Sequence, residues 1–203
     1  DDGATNKFGF AVAVSQTTVA VGAPGFEPSR NTDRQTYPYP GTVFLFDSDT
    51  GALLTTVNNP NEKAVDRFGI SLALSGGKLI VGAPGTEVDS PDMETPYYDA
   101  GMAYIFDANT GDLIWTLKND APPNLPGHPQ ASILHNNDRF GAAVAISGNI
   151  AAVGAPQDRL DPPEDPVGRV FVYDTNTQNL IWILDAPTSM RQEFGASVAV
   201  SDR

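Results

Sequence analysis

Residues 68–84 read FGISLALSGGKLIVGAP, which is two short apolar runs joined by a Ser-Gly-Gly turn. In the first run, large residues at 68, 70, 72 and 74 alternate with small ones, and this period of two indicates a β-strand. The second run, Leu79 to Val81, is apolar throughout and ends before Pro84, which has no N–H to donate to a ladder. Two consecutive glycines between such runs are typical of a hairpin turn. We therefore predict a buried β-hairpin.

This hairpin belongs to a repeat that fills the chain. Phe-Gly begins each copy, at Phe8, Phe68, Phe140 and Phe194. In the first three copies Gly-Ala-Pro starts fourteen residues after the Phe, at Gly22, Gly82 and Gly154. A third run carries two aromatic residues before an Asp, at Asp47, Asp107 and Asp174, and a fourth apolar run begins at Leu53, Leu113 and Leu180.

Four short strands in each repeat predict an all-β fold, a β-propeller made of four-stranded antiparallel blades. The three full blades are expected at about residues 8–57, 68–117 and 140–184 of a single domain that spans 1–203. The first strand of a fourth blade is expected within 194–203. Because three blades are fewer than the roughly four to eight that close a ring, we expect the Phe194 strand to pair with polypeptide outside these residues.

The Phe-Gly and Gly-Ala-Pro pairs, at one fixed spacing, resemble the FG-GAP repeat of integrin α-chain N-terminal propellers and their bacterial relatives. The resemblance implies a propeller that is extracellular and serves in adhesion or ligand binding. Many members of the family carry a calcium-binding loop between the first two strands. The corresponding turns here, which begin at Ser15, Ser75 and Ser147, contain no carboxylate, so the family's calcium sites do not carry over.

The loops after Gly-Ala-Pro and those before Phe-Gly are the candidate binding sites. Strand one starts where strand two ends, so both sets of loops are expected on one rim of a rigid scaffold. Tyr and Arg are typical interface anchors, and the candidate ligand-binding residues are Arg30, Arg34, Tyr37, Tyr39, Tyr97 and Tyr98. Carboxylates suited to Ca²⁺ are clustered in the second loop, at Glu87, Asp89, Asp92 and Glu94. The alternative for these loops is a solvated acidic surface without a ligand.

The turns between the third and fourth strands have two further interpretations. Alternating Asp residues such as Asp47 and Asp49 suggest calcium, but a Gly at the fifth position leaves no room for a third ligand, which favours a hairpin turn. The segments Asp107 to Trp115 and Asp174 to Trp182 are also similar to the tryptophan-docking repeat of quinoprotein propellers. In that family the Trp residues hold neighbouring blades together and perform no chemistry.

Composition narrows the function. A net charge of −13 disfavours nucleic acids and anionic membrane surfaces as partners, and the absence of Cys excludes thiolate chemistry. No apolar run approaches the roughly 20 residues of a membrane helix, so membrane insertion is not expected. The two histidines, His128 and His135, lie in one long connector without a Ser-His-Asp order. We therefore expect no enzyme and no required cofactor.

Three hypotheses for the function remain. The leading one is an extracellular or cell-surface module that recognises a protein or glycan partner through its rim loops. The first alternative is a structural subunit of a surface assembly, completed by further copies or by the remaining part of the same protein. The second alternative is part of a propeller enzyme, either a quinoprotein-like oxidoreductase or a hydrolase.

Overall fold

The computed structural model describes residues 6–25, 40–61, 66–89, 96–119, 136–158, 167–187 and 193–201. Within these ranges the chain forms twelve strands and no helix. The first sheet contains β1 (Ala11–Val14), β2 (Thr18–Ala23), β3 (Thr42–Asp47) and β4 (Leu53–Asn58). The second contains β5 (Ser71–Ser75), β6 (Lys78–Ala83), β7 (Met102–Asp107) and β8 (Leu113–Lys118). The third contains β9 (Ala143–Ser147), β10 (Ile150–Ala155), β11 (Arg169–Asp174) and β12 (Asn179–Asp185).

Each sheet is an antiparallel meander in which every strand pairs with its neighbours in the sequence. The innermost strands of successive sheets, β1, β5 and β9, lie beside one another. The predicted hairpin turn is present, since Ser75 pairs with Lys78 across Gly76 and Gly77, both in the left-handed region. The all-β fold with propeller-type, four-stranded antiparallel blades is therefore confirmed.

The period-two alternation suggested that the Phe-Gly pair lies inside the first strand of each sheet, but the structure places it outside that strand. It lies in a turn before the strand, and β5 begins three residues after Phe68. Gly69 has a φ of 90° and donates its N–H to the carbonyl of Gly82 at 3.1 Å. A φ of this sign is incompatible with an extended strand, and Gly adopts it without a steric penalty. The alternating pattern continues across the turn because the Phe ring still points into the core.

Two cores lie between the three sheets, and each contains the Phe of one Phe-Gly turn. Phe68 is fully buried and packs edge-on against Phe106, with ring centroids 5.9 Å apart. Phe140 is equally buried and packs against Phe171 at 5.2 Å. Both Phe side chains are therefore buried between adjacent sheets.

The first sheet has one face that no described sheet covers. Four large apolar side chains of this face or its preceding turn are more than half exposed, namely Phe8, Phe10, Val12 and Val14. Phe8 occupies the same place in its repeat as Phe68 and Phe140. Its ring packs edge-on against Phe44 of its own sheet, with ring centroids 5.4 Å apart. The face thus has the composition of the two buried interfaces but lies open in the described structure.

Residues 193–201 begin like the start of each sheet but are not a strand. Phe194 donates its N–H to Val167 at 3.1 Å, as Phe140 does to Ala100 at 3.0 Å. From Ala196 onward no strand is formed, which differs from the expected first strand of a fourth blade. An inner strand forms by hydrogen bonding to the second strand of its own sheet, and no described strand is paired with these residues.

Helices that could cross a bilayer are absent from the described ranges.

Candidate functional site: a hydrogen-bonded strip on the rim

The predicted meeting of two sets of loops on one rim is observed. The residue after Gly-Ala-Pro donates its N–H to the carbonyl of the residue two places before Phe in the same repeat. This bond joins Gly85 to Asp66 at 3.1 Å and Gln157 to Asp138 at 3.3 Å. The loops that leave the second strands and those that enter the first strands therefore start side by side.

On this rim the end of one repeat's loop runs along the start of the next repeat. We call residues 97–100 and 136–139 the rim strip. Asn136 Oδ1 accepts the N–H of Tyr98 at 2.7 Å, and the carbonyl of Tyr98 accepts the N–H of Asn137 at 2.8 Å. Arg139 donates its N–H to the carbonyl of Asp99 at 3.1 Å. These bonds link the second and third sheets at the surface, above the core that lies between them.

The inner side of the rim strip is closed by a short antiparallel bridge. Val88 and Tyr97 exchange both backbone hydrogen bonds, at 3.0 and 2.8 Å. Val88 is 5% exposed, so the loop that begins after β6 is anchored by a buried side chain close to its start. The end of the loop is anchored too, because Gly101 donates its N–H to the carbonyl of Thr86 at 3.0 Å.

Three residues of the rim strip have left-handed backbone conformations although none is glycine. Their φ angles are 50° for Asp99, 68° for Asn137 and 56° for Arg139. Such conformations cost on the order of 1–3 kcal/mol each and persist only where the surroundings hold them. Here the surroundings are the fully buried side chains of Asp138 and Phe140, which flank Arg139 on both sides. The backbone of the strip is therefore fixed before any ligand arrives.

A buried polar cluster supports the rim strip from below. The Nδ2 atom of Asn119 donates to Oδ2 of Asp138 and to Oδ2 of Asp158, at 3.1 Å each. Arg169 adds a charge-assisted bond from Nε to Asp185 at 2.9 Å and lies 3.8 Å from Asp158. Asp138 and Asp158 have no exposed surface, so the cluster holds the backbone of the strip in place and does not face solvent.

A similar buried cluster lies at the matching place of the second repeat. Asp66 is fully buried, and its Oδ2 accepts from Nδ2 of Asn59 and from Nδ2 of Asn61 at 2.9 Å each. The sequence analysis did not single out these Asp and Asn residues. The signal was present, because Asp stands two residues before Phe at 66 and 138, and Asn directly follows the outermost strand at 59 and 119.

The predicted ligand-binding residues fall partly on this strip. Tyr97 and Tyr98 are both in it; Tyr98 is 41% exposed, whereas Tyr97 is half-buried. The other four predicted residues lie outside the described residues, namely Arg30, Arg34, Tyr37 and Tyr39. The structure therefore brings Tyr97 and Tyr98 together with Asn136 and Arg139, two residues that the sequence analysis did not name.

The predicted calcium ligands are only partly described. Glu87 is half-buried and Asp89 is exposed, while Asp92 and Glu94 lie outside the described residues. Among the residues that the structure describes, no three His, Asp or Glu side chains are grouped as a metal site would require. Calcium binding by this loop stays a prediction.

The turns between the third and fourth strands are hairpin turns organised by their first Asp. Oδ1 of Asp47 accepts the backbone N–H of Thr50 and its hydroxyl, both at 2.7 Å. The hydrogen bond from the Thr50 hydroxyl, followed by that from its backbone, lowers the pKa of Asp47. Hydrogen bonds from Asn109 and then Thr110 likewise lower the pKa of Asp107. The turn interpretation accounts for this carboxylate oxygen without a metal.

One tryptophan holds neighbouring sheets together. The indole ring of Trp115 on β8 meets the ring of Tyr173 on β11 edge-on, with centroids 5.4 Å apart. The Tyr173 hydroxyl donates to the carbonyl of Lys118 at 3.2 Å across the same interface. Trp182, at the matching place in the third sheet, is 60% exposed. Trp115 therefore packs between the second and third sheets, whereas Trp182 is covered by no described sheet.

No curated protein matches the sequence. A solved structure described as a europium-containing methanol dehydrogenase aligns with 90% of this chain at 19% sequence identity and a TM-score of 0.45, and the chain spans 26% of the length of that protein. Residues 131–173, which include half of the rim strip, the Phe140 turn and β9 to β11, match the family described as FG-GAP repeat. The first two repeats contain the same Phe-Gly turn, hairpin and Gly-Ala-Pro as this matched segment.

Proposed function

We propose that this protein is a non-enzymatic, extracellular or cell-surface module that recognises a protein or glycan partner through its rim. One observation carries the proposal: an exposed Tyr98 stands on a strip whose backbone is already fixed by hydrogen bonds and left-handed residues. Binding to a fixed surface costs less conformational entropy than binding that must first order a loop. Tyrosine supplies both an apolar ring and a hydroxyl at such a surface.

The carboxylates near the strip favour binding over catalysis. A general acid or base must come within hydrogen-bond reach of a substrate. Asp66, Asp138 and Asp158 have no exposed surface, and each accepts hydrogen bonds from Asn side chains. These groups serve the scaffold. The proposal requires no cofactor, and calcium held by Glu87, Asp89, Asp92 and Glu94 would be an addition to it.

A matched pair of variants tests the proposal. The wild-type chain is applied to arrays of extracellular glycans and of displayed peptides, and each ligand found is measured again with Tyr98→Ala and with Trp182→Ala. We expect Tyr98→Ala to weaken binding at least about tenfold, the usual size of a hot-spot truncation. Trp182→Ala removes an exposed aromatic ring from a strand away from the rim and should leave binding unchanged. Equal affinities for both variants and wild type would place the ligand elsewhere.

The open face of the first sheet supports a second candidate, a subunit of a surface assembly. Phe8, Val12 and Val14 are exposed here, although the side chains at the matching places of the second and third repeats pack against a neighbouring sheet. Exposed apolar patches of this kind are typical of protein interfaces. If copies associate through this face, Val12→Asp should dissociate them in sedimentation velocity. Leu113→Asp, on the exposed outer strand of the second sheet, should not. A concentration-independent monomer for the wild-type chain would remove this candidate.

A further inference from the structure

We propose that the Tyr98–Arg139 part of the rim strip binds a side-chain carboxylate of an acidic peptide segment in a partner protein. This inference rests on the proposed function and gives it a chemical class of ligand. Its basis is the closeness in the strip of an exposed tyrosine to a positioned arginine whose charge has no partner among the described residues.

The position of Arg139 is set by its neighbours in the chain. The side chains on both sides of it, Asp138 and Phe140, have no exposed surface. Its backbone is left-handed, and its N–H is bonded to Asp99 at 3.1 Å. The next residue along the strip, Tyr98, is joined to the same segment through Asn136 at 2.7 Å. The backbone of Arg139 is thus fixed against Asp99, the residue that follows Tyr98 in the strip.

The charge of Arg139 has no partner within the described ranges. No ion pair or side-chain hydrogen bond joins its guanidinium to another described residue. Arg169 gives the contrast, because it is 5% exposed and bonds Asp185 at 2.9 Å while lying 3.8 Å from Asp158. The carboxylate nearest to Arg139 in the sequence, Asp138, is held below the strip by Asn119. Arg169 therefore stabilises the fold, whereas the guanidinium of Arg139 can bind a ligand.

A cation at this place recurs in the repeats. The residue before Phe is Lys7, Arg67 and Arg139 in the three full repeats, in a chain where acidic residues outnumber basic ones by 25 to 12. All three have left-handed backbones, with φ of 53°, 56° and 56°. The ammonium group of Lys7 lies 5.9 Å from the ring centre of Phe10. A basic residue thus recurs at this place in the three full repeats, although the protein as a whole is acidic.

A peptide carboxylate is the ligand that fits this chemistry best. The planar guanidinium of arginine binds a carboxylate through two parallel hydrogen bonds, which a neutral sugar hydroxyl cannot reproduce. Together with Trp, Tyr and Arg are the residue types most enriched among the residues that dominate binding energy at protein interfaces. An exposed tyrosine ring beside the charge would cover the apolar stem of a bound Glu or Asp. These features favour an acidic protein segment over a glycan.

The test uses the full chain and a fluorescently labelled hexaglutamate peptide, with binding followed by fluorescence anisotropy at low ionic strength. We expect the wild-type chain to bind and added salt to weaken the complex. Arg139→Gln should weaken binding about tenfold, the equivalent of one good charge-assisted contact. Arg139→Lys should bind more tightly than Arg139→Gln but less tightly than wild type. Lys keeps the positive charge but cannot form the two parallel hydrogen bonds of a guanidinium. Lys118→Gln, which removes the same charge at the end of an outer strand, should bind like wild type.

Two controls keep the test decisive. Because Arg139 is left-handed, Arg139→Asn is measured as well, since Asn tolerates this conformation and removes the charge with less strain. Failure of the wild-type chain to bind hexaglutamate, or equal binding by the charge-removing variants, overturns the inference. Arg139-dependent binding of hyaluronan, a carboxylated glycan, without binding of hexaglutamate overturns it in favour of a glycan.

The outcome also separates this inference from the proposed function. With a ligand from the arrays, loss of affinity in Tyr98→Ala but not in Arg139→Gln leaves the rim as the binding site and removes only the carboxylate. Unchanged affinity in both variants removes both.

Discussion

Gly82 lies against the carbonyl oxygen of Gly141, so closely that a Cβ atom on Gly82 would collide with it. The same contact joins Gly22 to Gly69 and Gly154 to Gly195. The Gly of Gly-Ala-Pro in one repeat thus meets the Gly of Phe-Gly in the next. The two glycines of the repeated motif are thus the two sides of one interface between successive repeats.

This contact predicts a steric effect. Gly82→Ala should destabilise the protein by about 1–3 kcal/mol, the usual cost of overpacking, because the nearest atom is the backbone carbonyl oxygen of Gly141, which cannot move aside alone. Gly51→Ala is the control, since it lies in an exposed turn with nothing within 4 Å and reports only the strain of its left-handed backbone. Urea denaturation measures both. A smaller loss for Gly82→Ala than for Gly51→Ala would contradict the contact.

The three Phe residues of the full repeats allow a comparison at one position of the motif. Phe68→Ala and Phe140→Ala should each cost about 3–5 kcal/mol of unfolding free energy, because both rings have no exposed surface. Phe8→Ala changes the same residue type where the ring is 56% exposed, and it should cost well under half as much. Urea denaturation again gives the values. Equal losses at the three positions would mean that Phe8 is covered in solution.

Asn119 is expected to be the most sensitive polar residue under the rim strip. Asn119→Leu removes the donor shared by two buried carboxylates, so it should cost about 3 kcal/mol or more. It should also weaken ligand binding at Tyr98, because Asp138 would no longer hold the adjacent strip. Asn58→Leu is the matched control, because Asn58 is the exposed last residue of β4. Thermal unfolding measures the loss of stability, and the binding assay measures the loss of affinity. If Asn119→Leu changes neither stability nor affinity, the cluster does not support the strip.

The turn at Asp47 predicts a dependence of stability on pH. Hydrogen bonds from Thr50 depress the pKa of Asp47 in the folded state below its ordinary value of 3.8. The stabilisation is therefore present above that ordinary value and is lost as the pH falls through the lowered folded-state pKa. Asp47→Asn should flatten this part of the stability profile, below about pH 4. Parallel profiles for wild type and Asp47→Asn would contradict the role of the carboxylate.

Much of the fold was predictable from local patterns. The hairpins, the strand order inside each sheet and the burial of Phe68 and Phe140 follow from a period of two and from fixed spacings, which are properties of neighbouring residues. The placement of Phe-Gly inside the strand was wrong, because an alternating pattern of burial persists through a turn when the ring still faces the core. Only the φ of Gly69, at 90°, distinguishes the turn from a strand.

The candidate site was predictable only in part. Tyr97 and Tyr98 were expected on the rim because loop ends follow strand ends. Asn136 and Arg139 were not, since they belong to the next repeat and meet Tyr98 and Asp99 through backbone hydrogen bonds between segments nearly forty residues apart. Asp138 and Asn119 were missed for the same reason, because a buried carboxylate and its amide donor share no local pattern.

The amino-acid sequence by itself determined the repeat, the antiparallel sheets and the kind of residue that fills each interface, because these depend on contacts within one repeat. The tertiary structure decided which copies of a residue are buried and which segments form the rim strip, because these depend on what packs against each sheet. Phe8 and Phe68 occupy the same place in their repeats, yet one ring is 56% exposed and the other has no exposed surface. The difference between them is the neighbouring sheet, which covers Phe68 and, in the described structure, does not cover Phe8.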